Sequence, residues 1–157
     1  LQNGAGKEYD REGKLEFEGV FLNGKRKKGK HYDHNGKFIE EVEYLNEEGN
    51  KKVKQYYYNG KLKFDGEYLN DKKWNGIAYD QNGEVVLVLK EGNGKGKFYD
   101  FNGELLFEGK YLGGKAWNGK GKEYSINDHS VRQLKFEGEY KWGKRKSKTD
   151  KTFCNFI

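Results

Sequence analysis

A chain of 157 residues that is 33% hydrophobic and 36% charged has room for one ordinary domain and little aliphatic material to fill it. Aromatic residues nonetheless make up 16%, Gly reaches 23 and Pro is absent, which excludes a disordered or proline-rich linker. Of the net charge of +6, residues 141–157 carry +5, so the body that precedes them is nearly neutral.

The single cysteine, Cys154, excludes a disulfide framework and fits a reducing, cytoplasmic setting. The longest apolar run, Val85 to Leu89, is far too short to span a bilayer.

In chain order, the sequence opens with Leu1-Gln2-Asn3-Gly4-Ala5-Gly6-Lys7-Glu8-Tyr9, which matches Trp117-Asn118-Gly119-Lys120-Gly121-Lys122-Glu123-Tyr124. It begins in mid-repeat, and the expectation is a piece of a longer protein. From Lys14, the residues Leu15, Phe17, Gly19 and Phe21 alternate with Lys14, Glu16 and Glu18, the period-two pattern of a half-buried strand. The second unit, around Tyr32 and Tyr44, has Glu40 where others have Phe. The third carries Tyr56, then Leu62, Phe64, Gly66 and Tyr68 on one face. The fourth follows Tyr79 and is shortened through residues 84–97. The fifth, from Tyr99, repeats the pattern at Phe107 and Tyr111. The sixth follows Tyr124, carries an insertion at 127–130, and closes on Phe136 and Tyr140.

Tyr9, Tyr32, Tyr56, Tyr79, Tyr99 and Tyr124 are spaced by 23, 24, 23, 20 and 25 residues, a period that denotes stacked repeats. After each tyrosine, a three-residue loop ending in a left-handed Gly suits the recurring Tyr-Asp-x-Asn-Gly text. It pairs Tyr9 with Leu15, and parity then places both on the apolar side. The expected fold is all-β: an elongated, twisted single antiparallel sheet, a meander of about six stacked β-hairpin repeats over residues 1–143, forming a trough. Its concave side would be paved by the aromatics named above, with rings lying over the inward glycines.

The phrase FEGKYLGGKAWNGKGKEY at 107–124, with its relatives from Phe17, Phe64 and Phe136, resembles the MORN (membrane occupation and recognition nexus) repeat. The resemblance covers residues 1 to about 143 and implies a scaffold, as found in proteins that organise membrane junctions, cytoskeletal structures and attached enzymes.

Chemistry-bearing constellations are sparse. His31 and His34 lack a third ligand, so no metal site is assigned. Gly92-Asn93-Gly94-Lys95-Gly96 lacks the helix that gives a phosphate loop its power. The carboxylates repeat along exposed strand faces instead of forming a pair with divergent pKa values. No catalytic residue, cofactor or small-molecule substrate is expected, and the chain reads as no enzyme. Lys25, Arg26, Lys27, Lys28 and Lys30 form a basic loop, but no continuous basic stripe supports nucleic-acid binding.

Two features carry a functional expectation. The aromatic trough would bind a protein partner or a second copy, unless its rings pack only on each other. After Tyr140 the text turns basic, with Lys144, Arg145, Lys146, Lys148 and Lys151, and ends Cys154-Asn155-Phe156-Ile157, a C-a-a-X form. Residues 144–157 therefore read either as a prenylated, polybasic membrane tail, in which Ser147 and Thr149 are phosphorylation candidates, or as a cap formed by Phe153, Phe156 and Ile157. The expected function is a non-catalytic scaffold at the cytoplasmic face of a membrane. The alternatives are a targeting or regulatory segment of a larger enzyme, and a binder of nucleic acid or anionic surfaces.

Overall fold

The computed structural model describes residues 3–126 and 131–146, which form thirteen strands and no helix. They are β1 (Gly4–Tyr9), β2 (Leu15–Leu22), β3 (Lys25–Tyr32), β4 (Phe38–Tyr44), β5 (Lys51–Tyr56), β6 (Leu62–Leu69), β7 (Lys72–Tyr79), β8 (Val85–Leu89), β9 (Gly94–Tyr99), β10 (Leu105–Leu112), β11 (Lys115–Ile126), β12 (Arg132–Lys141) and β13 (Lys144–Arg145). Except between β8 and β9, each strand pairs antiparallel with its sequence neighbours, as a meander requires. The ladder is divided into an eight-stranded sheet, β1 to β8, and a five-stranded sheet, β9 to β13. Between β8 and β9 only Lys90 and Asn93 form a bridge. The two strands still lie side by side, since a Cβ placed on Gly96 would meet the Val86 carbonyl oxygen at 2.1 Å.

Two kinds of turn alternate. At one end of the strands Asp10, Asp33, Asp80 and Asp100 open three-residue loops that close on a left-handed Gly, as the sequence predicts. Gly13 (φ 78°) donates to the Asp10 carbonyl at 3.0 Å, while Asp10 Oδ1 accepts the amides of Glu12 and Lys14. At the other end, two-residue turns carry positive φ at both positions: Asn23-Gly24, Asn70-Asp71, Glu91-Gly92, Gly113-Gly114 and Trp142-Gly143. These suit the right-handed twist of the flanking strands.

The two-residue turns are laced together by asparagine. The Oδ1 atoms of Asn3, Asn93 and Asn118 accept from the amides of Asn23, Gly113 and Trp142, at 2.6, 3.3 and 2.8 Å. Asn50 and Asn75 serve Asn70 and Glu91 in the same way. Apart from Asn50, which precedes Lys51, each of these is the Asn of an Asn-Gly pair, and each caps the turn of the next unit.

Glycine faces glycine in mid-strand: Gly19 pairs with Gly29, Gly66 with Gly76, and Gly109 with Gly119. A Cβ on Gly119 would sit 2.2 Å from the Glu108 carbonyl oxygen and 2.9 Å from Cζ of Phe107. The rings of Phe17, Phe64 and Phe107 thus lie over glycine pairs, the expected arrangement. These three rings, with Phe21, Val42, Val53, Ala78, Leu87, Leu89 and Tyr111, form the buried core. The sheet curls across β7 and β8, which brings the rings of Phe64 and Phe98 within 6.4 Å. There the Tyr58 amide donates to the Phe101 carbonyl at 2.9 Å.

Among the described residues no helix is long and apolar enough to cross a membrane. Gly119→Ala is expected to lower unfolding free energy by about 2 kcal/mol or more in urea titrations, because backbone must move. Asn118→Ala, which removes only the turn cap, is expected to cost about 1 kcal/mol.

Candidate functional site on the concave face

The face that carries Phe17 is the one toward which the sheet curls, bringing Phe64 and Phe98 together, and its floor is the row of rings just described. Phe17 and Phe64 are fully buried and Phe107 and Tyr111 nearly so. Phe21 joins them, its ring edge-on to Phe17 with centroids 5.5 Å apart. Tyr44, Tyr68 and Tyr140 pack against this core, and Phe136 lies edge-on to Tyr140 at 5.3 Å. These nine aromatics occupy the face assigned to them by alternation.

The other six predicted trough residues do not. Tyr9 pairs with Leu15 as expected, but the register shifts between Glu8 and Tyr9, because Glu16 has no opposite number. The bulge turns Tyr9 away from the phenylalanine face and brings Glu8 onto it, opposite Phe17. The same shift recurs beside Tyr32, Tyr56, Tyr79, Tyr99 and Tyr124. Their partners confirm the outer placement. The Tyr32 hydroxyl donates to Glu18 at 2.6 Å, that of Tyr124 bonds Glu104, and Tyr9 is 57% exposed. The inward parity expected for these six tyrosines is therefore corrected.

Polar groups stand directly on the aromatic floor. The Arg26 guanidinium lies 4.8 Å above the Phe17 ring and pairs with Glu8 and, at 3.0 Å, with Glu16. Next to it, His31 Nε2 is 2.7 Å from the Tyr44 hydroxyl, and burial holds the imidazole below its usual pKa. Glu40 takes the place that Phe17 and Phe64 hold in their units. It is buried, accepts from Gln55 at 2.9 Å and faces Lys51 at 3.8 Å.

Two lysines share one ring beyond Glu40. The ammonium nitrogens of Lys63 and Lys73 lie 3.7 and 4.3 Å from the centroid of Phe98. Lys63 is the unpaired residue of the β6 bulge, which tips it into the curl, where it is only 3% exposed. Burial and then the neighbouring Lys73 push its pKa well below the ordinary lysine value. Burial likewise lowers Lys73 to about 8, against the opposing pull of Glu40. Cation–π contact offsets part of this desolvation.

The convex face is different in kind. Across the sheet Lys7, Glu18, Lys30, Glu41, Lys54 and Asp65 are successive cross-strand neighbours, an alternation of charge that keeps the face near neutral. Acidic residues stand beside the basic loop as well: Lys25 pairs with Glu47, Arg26 with Glu8 and Glu16, and Lys30 lies between Glu18 and Glu41. In the tail, Arg145 pairs with Glu123 and covers Phe136, Lys146 faces Glu139 at 3.2 Å, and Lys144 is exposed. Lys148, Lys151 and Cys154, with Ser147, Thr149, Phe153, Phe156 and Ile157, lie outside the described residues. His34 hydrogen-bonds its turn neighbour Asn35 in the exposed β3–β4 loop, and the structure does not bring it together with His31.

Neither a family model nor a curated protein matches the chain.

Sequence reasoning missed Arg26, Lys51, Lys63 and Lys73 as concave-face residues, and the signal for Lys63 lay in the bulge alone. Both depressed lysines bind fewer protons when folded than unfolded. Stability is therefore expected to rise from about pH 8 towards pH 10, measured as the urea midpoint. Above about pH 10 the trend reverses, because the buried tyrosines Tyr68 and Tyr111, with pKa values raised by burial, resist ionisation in the fold. Lys63→Met is expected to raise the midpoint at pH 7 and flatten the rise.

Proposed function

We propose that the chain is a non-catalytic scaffold of MORN-like repeats that binds a segment of a protein partner along its concave face, and that its basic tail holds it at a membrane. The observation that carries the reading is the row of side chains above the buried rings. Arg26, His31, Tyr44, Lys51, Tyr68 and Lys73 form a cationic and hydroxyl-bearing surface, with Glu40 as its central carboxylate. The rings beneath are buried by these groups and by each other, so the surface offered to a partner is polar over an aromatic floor. Such a surface suits a segment that brings carboxylates and peptide carbonyls, with specificity from hydrogen bonds. A long, regular sheet holds these groups at fixed spacing, which is what a scaffold needs.

A photo-crosslinking residue at Tyr44, on this face, is expected to capture one partner from native extract. The same residue at Lys52, a β5 position on the convex face, captures none. Equal capture at both sites would defeat the assignment of the face. For the tail, an isoprenoid-sized mass increment on the native protein and membrane pelleting abolished by Cys154→Ser are expected. An unmodified protein that stays in the supernatant would remove the membrane part of the proposal.

A further inference from the structure

Of the cations on the concave floor, Arg26 pairs with Glu8 and Glu16, and Lys51 faces Glu40. Lys63 and Lys73 have no such partner. Each ammonium offers three N–H groups, yet among the described residues neither lysine makes an ion pair or a hydrogen bond. The carboxylates near enough to act on them are Glu40, on both, and Asp100, on Lys63. Both are already engaged. Glu40 accepts from Gln55 and faces Lys51, while Asp100 is held by Arg132 at 2.7 Å and by the amides of Asn102 and Glu104. Lys51 adds its repulsion to Lys73. The pair is left with an excess of positive charge.

Their surroundings are aromatic. Besides Phe98, which both share, Lys63 Nζ lies 5.0 Å from the centroid of Phe101, and Lys73 Nζ lies 5.2 and 6.0 Å from those of Tyr68 and Phe64. Lys73 is the more open of the two, half-buried where Lys63 is sunk into the curl. Among the described residues the one fully enclosed side-chain oxygen or nitrogen without a hydrogen bond is Asp100 Oδ2. Both ammonium nitrogens, which also lack a hydrogen bond, therefore keep contact with solvent. A pair in this position sheds its excess charge by losing a proton or by gaining an anion. With Lys73 lowered to about 8, free amine at neutral pH is on the order of a hundred-fold more abundant there than on an ordinary lysine. An anion from solution must give up its water to enter. A small uncharged electrophile enters without that cost and becomes the anion in place. A desolvated amine beside a second cation is the arrangement that makes a lysine nucleophilic, and carbon dioxide is the smallest electrophile that answers the description.

We propose that Lys73 takes up carbon dioxide as a carbamate, with Lys63 as the counter-ion of the new anion. The lone pair of the neutral Lys73 Nζ forms a bond to the carbon of carbon dioxide. One C–O π pair moves onto oxygen, and the nitrogen releases one proton to solvent. Amine and carbon dioxide thus give an N-carboxylate and a proton, with no oxidant, reductant or metal required. Lys63 holds its own proton in the product, its ammonium over the face of Phe98. Two like charges that repel become one of each sign, the combination that burial tolerates. The modification concerns side chains of the sheet itself and does not depend on a partner lying along the concave face.

The test is to incubate the full chain with isotopically labelled bicarbonate under carbon dioxide, trap carbamates as ethyl esters with triethyloxonium ion, and map them by peptide mass spectrometry. The labelled adduct is expected at Lys73, at least about ten-fold above that at the exposed Lys52, in keeping with its larger share of free amine. At fixed carbon dioxide pressure it is expected to decline as the pH falls below about 8 and Lys73 takes up its proton. Lys73→Arg, which keeps the charge, is expected to abolish the adduct. Lys63→Met, which removes the counter-ion, is expected to reduce it several-fold with circular dichroism unchanged. The urea midpoint of the unmutated chain is expected to rise with carbon dioxide at constant pH and ionic strength. An adduct absent from Lys73, one shared among the lysines in proportion to their exposure, or one untouched by Lys63→Met overturns the proposal.

Discussion

Close approach of two backbones beneath an aromatic ring is the constraint on which the rest of this structure depends. Where Gly19 faces Gly29, or Gly109 faces Gly119, the strands leave a shallow seat, and the ring two residues earlier lies down into it. A single layer can bury a phenylalanine completely only because that seat exists. The irregular units obey the same rule by substitution. Where the ring is replaced by Glu40, the seat is filled by Val42 and Val53, directly paired and both buried. In β8 the ring gives way to Leu87, and the glycine to Leu89. Ring over glycine, or aliphatic side chain in both places: the volume is kept while the chemistry changes.

Much of this was legible in the text. Alternation gave the strands, the 23-residue period gave the stacking, and the Asp-x-x-Gly spacing gave the right loop and the right pair, Tyr9 with Leu15. What alternation could not show was the bulge at Glu16 and its repeats. One extra residue leaves the pairing at the turn intact and inverts the face beside six tyrosines predicted to face inward, of which Tyr32, Tyr56 and Tyr124 bond to outer carboxylates and Tyr9 is exposed. Lys63 was hidden for the same reason. A residue read as exposed by parity becomes, when it is the unpaired member of a bulge, the most buried cation described. The asparagine caps were equally invisible, because each Oδ1 accepts from the turn of the next hairpin and not from its own.

The two faces divide the work of solubility and specificity. On the convex side, charge alternates from strand to strand, which stabilises the pairing slightly and gives no long-range field. On the concave side, fewer charges sit in drier surroundings, where each is shaped by an identifiable neighbour: Arg26 by Glu8 and Glu16, Glu40 by Gln55 and Lys51, Lys63 and Lys73 by the ring of Phe98. Equal numbers of charges on two faces would not have equal meaning. The concave set is held in place by packing, whereas the convex set can be redrawn at small cost to the fold as long as opposite charges still face each other.

Because every strand lies beside the one before it in sequence, the chain has almost no distant appointments to keep. Even the contact across the curl, Phe64 with Phe98, closes over β7 and β8 alone. Loop-closure entropy, which makes most all-β proteins slow to form, is small here. Any hairpin can serve as the nucleus, and each further one adds to a finished edge. A protein built this way can assemble as it leaves the ribosome, one finished hairpin at a time, with no wait for its last residue.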